Sequence, residues 1–522
     1  MGRSDTFTTV LLRCLIALVS GAVLAAAFEP IGWSVLLVVG VAGLFGAVRG
    51  LGPGRAWLPG LLFGASFCYL VMVWMRPVGT DAWLAMSGVE ALFFAPLGSA
   101  LAVAHRSRWW PVWCAVMWTA VESVRAVWPF SGMPFGRLAF ATADTLWEGW
   151  LPWVGMTGVT FIVALTAGTA LWLLLTARRR PARATAVALL AAALTASLPV
   201  VGWDFQPAGS ATVAAVQGNV PGDGTDVVGN HRQITQDHVR LTHQLADDVR
   251  AGEVGEPDFV VWPENSTAVD PFTDVETNLA IRGASAAVDV PLVVGGMVDG
   301  THEREILNQS IVWYPERGGG DRYTKMHPVP YGEYIPFRTS GLLPSDYGRL
   351  REVARDMSRG TRTAPLRVGD IQVAAGICFD VAYDDGISQQ VRSGGEIVMI
   401  QTSNAMFIHT GQIDQQFEIT RLRAVEASRW TVVAAINGVS GVIAPTGEVV
   451  AMAAPRTAEV LVEEVQLSSA VTPAMRLAPW LPRLAVGVAV VHLLWVLVAY
   501  RVLARRRIGV GTSPETGETV NA

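Results

Sequence analysis

Long apolar runs constrain this chain more than any other feature. A bilayer's hydrocarbon core is about 30 Å thick, and a helix rising about 1.5 Å per residue needs roughly 20 apolar residues to cross it. Seven runs of about that size fill the first 203 residues, over 11–28, 31–48, 57–75, 83–104, 111–127, 156–176 and 185–201. An eighth covers 484–503, and residues 205–480 between them read as water-soluble chain holding most of the acidic residues. The pattern predicts a polytopic α-helical membrane bundle of about eight spans. Its parts are a seven-helix domain (1–204), a soluble domain (205–480), a last transmembrane helix (481–507) and a disordered tail (508–522).

Composition agrees. Of 522 residues 51% are hydrophobic and 16% charged, against about 25% charged in ordinary soluble domains. That excludes one soluble globule and excludes a disordered chain. A net charge of −5 offers no basic face for phosphate, so no nucleic-acid partner is expected. The 19 tryptophans suit the membrane–water boundary.

Basic residues orient the spans. Arg3 precedes the first; Arg49 and Arg55 follow the second, and Arg106 and Arg108 the fourth. Arg178, Arg179, Arg180 and Arg183 follow the sixth, and Arg501, Arg505, Arg506 and Arg507 the eighth. By the positive-inside rule both termini are cytoplasmic, and the soluble domain lies outside a multi-pass cell membrane. Arg3, the apolar stretch and Ala25-Ala26-Ala27 also fit a cleavable signal peptide. The soluble domain is delivered outside either way.

Within the soluble part, β-branched runs at 212–217, 258–262, 292–296, 310–314, 372–377, 397–401, 431–436 and 441–444 read as strands. Helical patterns cover 231–250, 277–287 and 412–428, and the alternation predicts an α/β fold. The glycines of 317–321 read as a turn joining two strands. Cys14, Cys68 and Cys114 sit in apolar runs as small hydrophobes; Cys378 stands in mixed surroundings.

Three segments carry chemistry. Val260-Val261-Trp262-Pro263-Glu264 is a strand ending in a carboxylate, and Ala375-Gly376-Ile377-Cys378-Phe379-Asp380 a strand stopping at a thiol. Between them lies Lys325-Met326-His327-Pro328-Val329-Pro330-Tyr331-Gly332-Glu333-Tyr334. Reactive groups in open α/β sheets gather beyond the carboxyl ends of strands. A thiol needs a base before it attacks a carbonyl, which Glu264 can supply, and Lys325 can stabilise an oxyanion. Singly, such a glutamate is a helix cap or surface residue, a lysine is solvated and a buried cysteine is packing. In this order the three are specific.

These motifs resemble the nitrilase, or carbon–nitrogen hydrolase, superfamily, and seven spans before such a domain with one after it resemble the apolipoprotein N-acyltransferases. The motif Val216-Gln217-Gly218-Asn219-Val220-Pro221, the pair Asn437-Gly438 and the loop Ser131-Gly132-Met133-Pro134-Phe135-Gly136 match further family segments. The resemblance implies an αββα sandwich with Glu264 as general base, Lys325 as oxyanion stabiliser and Cys378 as nucleophile. Glu333 and Asp380 are implied as supporting residues, and Met406, Phe407 and Asn437 as substrate-binding; no metal or cofactor is implied. Asp380 stands where the family usually has Glu, and 404–407 where it commonly has a Trp-containing loop. The implied partners are a membrane phospholipid as acyl donor and diacylglyceryl-modified apolipoproteins as acceptors. The acyl chain would pass through a Cys378 thioester to the α-amine of the acceptor's N-terminal cysteine.

An alternative reading is a membrane-anchored nitrilase-type amidase acting on a small amide, although one anchor would then suffice. A transporter would need broken, polar spans near the midplane, which these runs lack. Ile335, Leu342, Leu343, Phe407 and Ile408 either line a lipid-facing opening or pack locally. Glu90, and Glu122 with Arg125 at i, i+3, lie toward the outer side of their spans. They form either a headgroup cluster or a structural ion pair.

Overall fold

The computed structural model describes residues 3–183, 185, 186, 202–338 and 353–509. The expected seventh span beyond position 186, Leu342, Leu343 and the tail beyond 509 lie outside the described residues. Helices α1 (Arg3–Ala25), α2 (Leu36–Val48), α3 (Pro53–Val71), α4 (Thr80–Leu92), α5 (Phe94–Ala104), α6 (Trp110–Arg125) and α7 (Leu151–Thr176) occupy the first six apolar runs. Among the described residues, Thr80–Ala104, Glu148–Thr176 and Leu481–Ala499 are long and apolar enough to cross a bilayer. Thr9–Ala25 and Leu36–Val48 are apolar but shorter.

The shortfall from eight has local causes. Turns on either side cut α2 to 13 residues, about 20 Å at 1.5 Å per residue. The 16-residue α6 contains Glu122 and Arg125. The run at 83–104 still counts as one crossing stretch although it divides at Phe93, where Pro96 has no N–H to return to the Leu92 carbonyl. Small residues bring α3 and α5 together: a Cβ on Gly60 would lie 2.2 Å from the Phe94 carbonyl oxygen, and one on Gly98 2.4 Å from that of Ala56.

The rest of the chain forms two packed sheets. The strands are β1 (Gly209–Gln217), β2 (Phe259–Val261), β3 (Leu292–Asp299), β4 (Glu305–Tyr314), β5 (Gly318–Thr324), β6 (Asp356–Met357), β7 (Leu366–Val368), β8 (Ile371–Ile377), β9 (Ile397–Thr402), β10 (Thr431–Ala435), β11 (Ser440–Ile443), β12 (Val449–Ala453) and β13 (Glu459–Leu467). One sheet runs β13-β1-β2-β3-β4-β5, with β6 beside β4; the other runs β12-β11-β10-β9-β8-β7. Each has a parallel centre, β1-β2-β3 in the first and β8-β9-β10 in the second, flanked by antiparallel strands.

The helices of this part are α8 (His231–Ala251), α9 (Val275–Val288), α10 (Asp385–Arg392), α11 (Gln412–Ala427), the short α12 (Pro473–Leu477) and the final α13 (Leu481–Gly509). Strand alternation builds three layers of core. Val213, Ala215, Val261 and Val293 meet Val373, Ala375, Ile397 and Met399 between the sheets. Ala214, Val216 and Val260 face Leu241 and Leu245 of α8 and Ile281 of α9. On the far side, Ala374, Val398 and Ile400 share one continuous apolar cluster with Ile419 and Leu422 of α11 and with Phe63, Phe67 and Trp118 of the bundle. The second outer helical layer of an αββα sandwich is thus packed against the membrane bundle.

All eight expected strands and all three expected helices are present. One expectation is corrected: the turn is Pro315–Arg317, and Gly318–Gly320 belong to β5. A Cβ on Gly319 would lie 2.6 Å from the Phe272 ring and one on Gly320 2.9 Å from that of Tyr314. Those glycines make room for aromatic rings packed on a strand.

Candidate active site

Glu264 follows β2 and Cys378 follows β8, each at the carboxyl end of a parallel strand, one from each sheet. Lys325 follows β5, reached from β2 across β3 and β4. The sandwich brings the three chain-distant segments together. Lys325 Nζ donates to Glu333 Oε1 at 2.7 Å and Glu264 Oε1 at 3.2 Å, and all three side chains are mostly or wholly buried. Glu264 Oε1 also accepts from Asn308 Nδ2 at 2.7 Å, and its Oε2 from the Ser403 amide at 2.8 Å. Glu333 Oε2 accepts from the Val329 amide at 2.8 Å.

Cys378 sits at φ 49°, left-handed for a residue with a side chain, and opens the single turn Cys378–Ala382. Such strain at the end of a strand presents a side chain away from both strand and helix. The thiol donates to Gln416 Oε1 at 3.8 Å. Gln416 is held by Asn404, Gln412 and Thr402. Burial and then the Glu264 carboxylate push the thiol up to about 12, against the opposing Lys325 ammonium. The resting sulfur is therefore protonated, and a base must take its proton as it attacks. Burial works against the Lys325 charge, but Glu264 and Glu333 outweigh it and hold the ammonium well above its ordinary value. Burial and the Glu264 charge raise the Glu333 carboxyl, with Lys325 opposing.

Asp380 does not point at the lysine. Its Oδ2 accepts from Tyr323 Oη at 2.8 Å and from the Ile377 amide at 3.1 Å, and its Oδ1 from the His327 amide at 2.8 Å. The shorter carboxylate ties the thiol turn to the lysine segment. Burial opposes its charge, but the His327 hydrogen bond prevails and the carboxyl lies below its usual range.

Phe407 and Met406 lie in the turn after β9. Phe407 is half-buried and meets Trp74 of the bundle edge-on, ring centroids 5.4 Å apart, while Met406 is exposed. Trp74 packs on Phe135 at 5.1 Å, and Phe135 on Phe379 at 5.6 Å. An aromatic file thus runs from this turn through two bundle residues to the neighbour of the thiol. Asn437 is buried, its Nδ2 donating to the Gly224 carbonyl at 2.7 Å, so it pins a loop. Ile335 and Ile408 are buried.

Sequence reasoning missed Asn308, Gln416 and Trp74, and placed Phe135 only within a matching loop. The polar run Asn308-Gln309-Ser310 inside a buried strand and the glutamines at the start of α11 were signals for the first two. Among the charges expected in the spans, Arg125 pairs with Glu90. Arg125 binds Glu90 at 2.8 Å and the Met133 and Phe135 carbonyls, not its i, i−3 neighbour Glu122. Among the described residues no group of three or more His, Cys, Asp or Glu could hold a metal ion.

An αββα sandwich with a thiol, a lysine and carboxylates converging at the strand ends defines a carbon–nitrogen hydrolase-type domain, here joined to a helical membrane bundle. The carbon–nitrogen hydrolase profile matches residues 212–472, and the profile of the apolipoprotein N-acyltransferase N-terminal domain matches 20–169. An apolipoprotein N-acyltransferase of Mycolicibacterium smegmatis is 33% identical over 91% of this chain and 84% of its own length. Another, of Methylococcus capsulatus, is 28% identical over 89% of this chain and 92% of its own. Among solved structures, Nit3 of Saccharomyces cerevisiae aligns over 50% of this chain and 91% of its own, at 18% identity and a TM-score of 0.36. The chain belongs to the apolipoprotein N-acyltransferase family.

Proposed function

We propose that this protein transfers a fatty acyl chain from a membrane phospholipid to the α-amine of the S-diacylglyceryl-cysteine that begins a lipoprotein. The observation that carries this reading is the Phe135–Phe379 contact, which sets a bundle residue against the neighbour of a half-buried thiol that feels the Lys325 charge. A donor arriving through lipid has its ester beside that thiol.

Cys378 Sγ attacks the ester carbonyl and a C–S bond forms as Glu264 takes the thiol proton. The oxyanion is held by Lys325, whose charge the two carboxylates preserve in a buried site. The C–O bond then breaks, and the lysophospholipid oxygen leaves with the proton from Glu264. The acceptor amine attacks the thioester, a C–N bond replaces C–S, and the amine's proton returns through Glu264 to the sulfur. An amide is less reactive than a thioester, so the second step runs downhill. Burial of the site keeps competing water scarce.

Basic residues in alternate loops support the finer topology of eight spans, both termini cytoplasmic and residues 205–480 outside the cell membrane. The membrane position favours this reading over an amidase. The test is mass spectrometry of the purified protein after exposure to phospholipid, which should find an acyl group on Cys378. Cys378→Ala should lose that adduct and all transfer to a diacylglyceryl peptide. Transfer persisting in Cys378→Ala would refute the nucleophile assignment.

A further inference from the structure

The thiol turn is gripped by a buried guanidinium whose counter-ions lead into the membrane bundle. Arg423 of α11 donates from Nε to the Val381 carbonyl at 2.9 Å and from Nη2 to the Ala382 carbonyl at 3.2 Å. Those carbonyls close the turn that Cys378 opens. The same side chain binds Asp384 at 2.9 Å and Glu426 at 2.5 Å. Asp384 Oδ1 is shared with Arg137, at 2.8 Å, from the loop that follows α6. Arg137 is anchored in turn on Thr157 of α7 at 3.1 Å.

The other end of the chain of charges also lands on α7. Gly155 has φ 64° and ψ −175°, which breaks the helix, and Met156 restarts it with a free amide. Glu426 Oε1 accepts that amide at 3.0 Å. A Cβ on Gly155 would lie 2.7 Å from the same oxygen, so glycine is what admits the carboxylate. Arg137, Arg423 and Glu426 are buried, and the four charges alternate in sign from Arg137 to Glu426. Buried ion chains add little net stability over apolar packing, but they admit only one register.

We propose that Arg423, held between Asp384–Arg137 and Glu426–Met156, is a positioning residue through which the membrane bundle sets the placement of the Cys378 sulfur. An apolar interface alone would let α11 slide against α7; the alternating charges do not. The proposal rests on Cys378 being the nucleophile, and its test separates the two.

The full-length protein in phospholipid vesicles is acylated in a rapid-mixing experiment that reads thioester on Cys378, for wild type, Arg137→Gln, Arg137→Lys and Glu426→Gln. The expected result is a burst of wild-type amplitude whose rate constant falls roughly ten- to a hundredfold in Arg137→Gln. Arg137→Lys should recover part of it. Glu426→Gln, which retains the shape and an acceptor for Met156, should also slow the burst at full amplitude. Hydrogen exchange at residues 379–385 should rise in the slowed variants. A reduced amplitude with an unchanged rate constant would mean that the charges only hold the fold, and the proposal fails. Wild-type rate and amplitude in all three variants would also overturn it. If wild type itself forms no thioester on Cys378, the nucleophile reading fails instead.

Discussion

Phe135, from the loop between α6 and α7, lies parallel to Phe379, the residue after Cys378, with 7° between the ring planes. The contact is fixed from both sides. Arg125 holds the Phe135 carbonyl at 2.9 Å, and Tyr383 Oη donates to the Gly132 carbonyl at 2.9 Å. A bundle loop is therefore packed against the turn that carries Cys378.

Phe135→Leu keeps apolar bulk and removes the stacked pair. An aromatic pair is worth about 0.5–1.5 kcal/mol beyond its area, so acyl transfer from phospholipid should fall roughly two- to tenfold. Maleimide modification of Cys378 should change less. Equal loss in both assays would show that the ring supports the turn without guiding lipid.

Glu264→Gln is expected to act with opposite signs in two assays. Burial first and then this carboxylate push the Cys378 thiol up to about 12, so its removal should lower that value in part and speed alkylation of the sulfur near neutral pH. Acyl transfer should drop about a hundredfold or more, because the proton acceptor is gone. Measuring both rates from pH 6 to 10 decides it; slower alkylation in the variant would contradict the electrostatic account.

Lys325→Met would leave Glu264 and Glu333 buried side by side without their shared cation. Breaking a buried pair costs about 3–5 kcal/mol, and loss of an oxyanion donor about a hundredfold in rate. Thermal unfolding and the thioester burst should both show the defect. A variant of wild-type stability would mean that one carboxyl takes up a proton at no cost.

The His327–Asp380 clamp makes stability depend on pH. Burial disfavours the imidazolium, but hydrogen bonds to Asp380 and Asp385 outweigh it and raise the His327 value. A raised histidine contributes stability that is complete below its unfolded value of about 6.5 and is lost as pH climbs through the folded one. Asp380, depressed on folding, contributes above its unfolded value of about 3.9 and loses it in acid. The clamp is thus strongest between about pH 4 and 6.5. His327→Gln should flatten the alkaline side of the stability profile; an unchanged profile would place the titration elsewhere.

Much of this was legible in the chain. Apolar runs located the helices because hydrophobicity over a full run is a local property. Strands ending in Glu264 and Cys378 were legible because a buried strand is a short β-branched run whatever lies beside it. The three-glycine stretch misled because space for the Phe272 and Tyr314 rings, not turning, called for glycine there. Trp74 gave no comparable signal, and Phe135 stood only as one residue of a matching loop. An aromatic residue in an apolar stretch reads as lipid-facing until something else is found against it.

By itself the sequence determined which segments are apolar, which end in reactive groups and which family they resemble; those are properties of neighbours along the chain. Only the tertiary structure decided that Glu264 and Lys325 meet in a buried pair within electrostatic reach of the half-buried Cys378, that Arg125 pairs with Glu90 and that Asp380 ties the thiol turn to the lysine segment. Charge pairing and burial depend on distances between residues tens to hundreds of positions apart, and no local pattern encodes those distances.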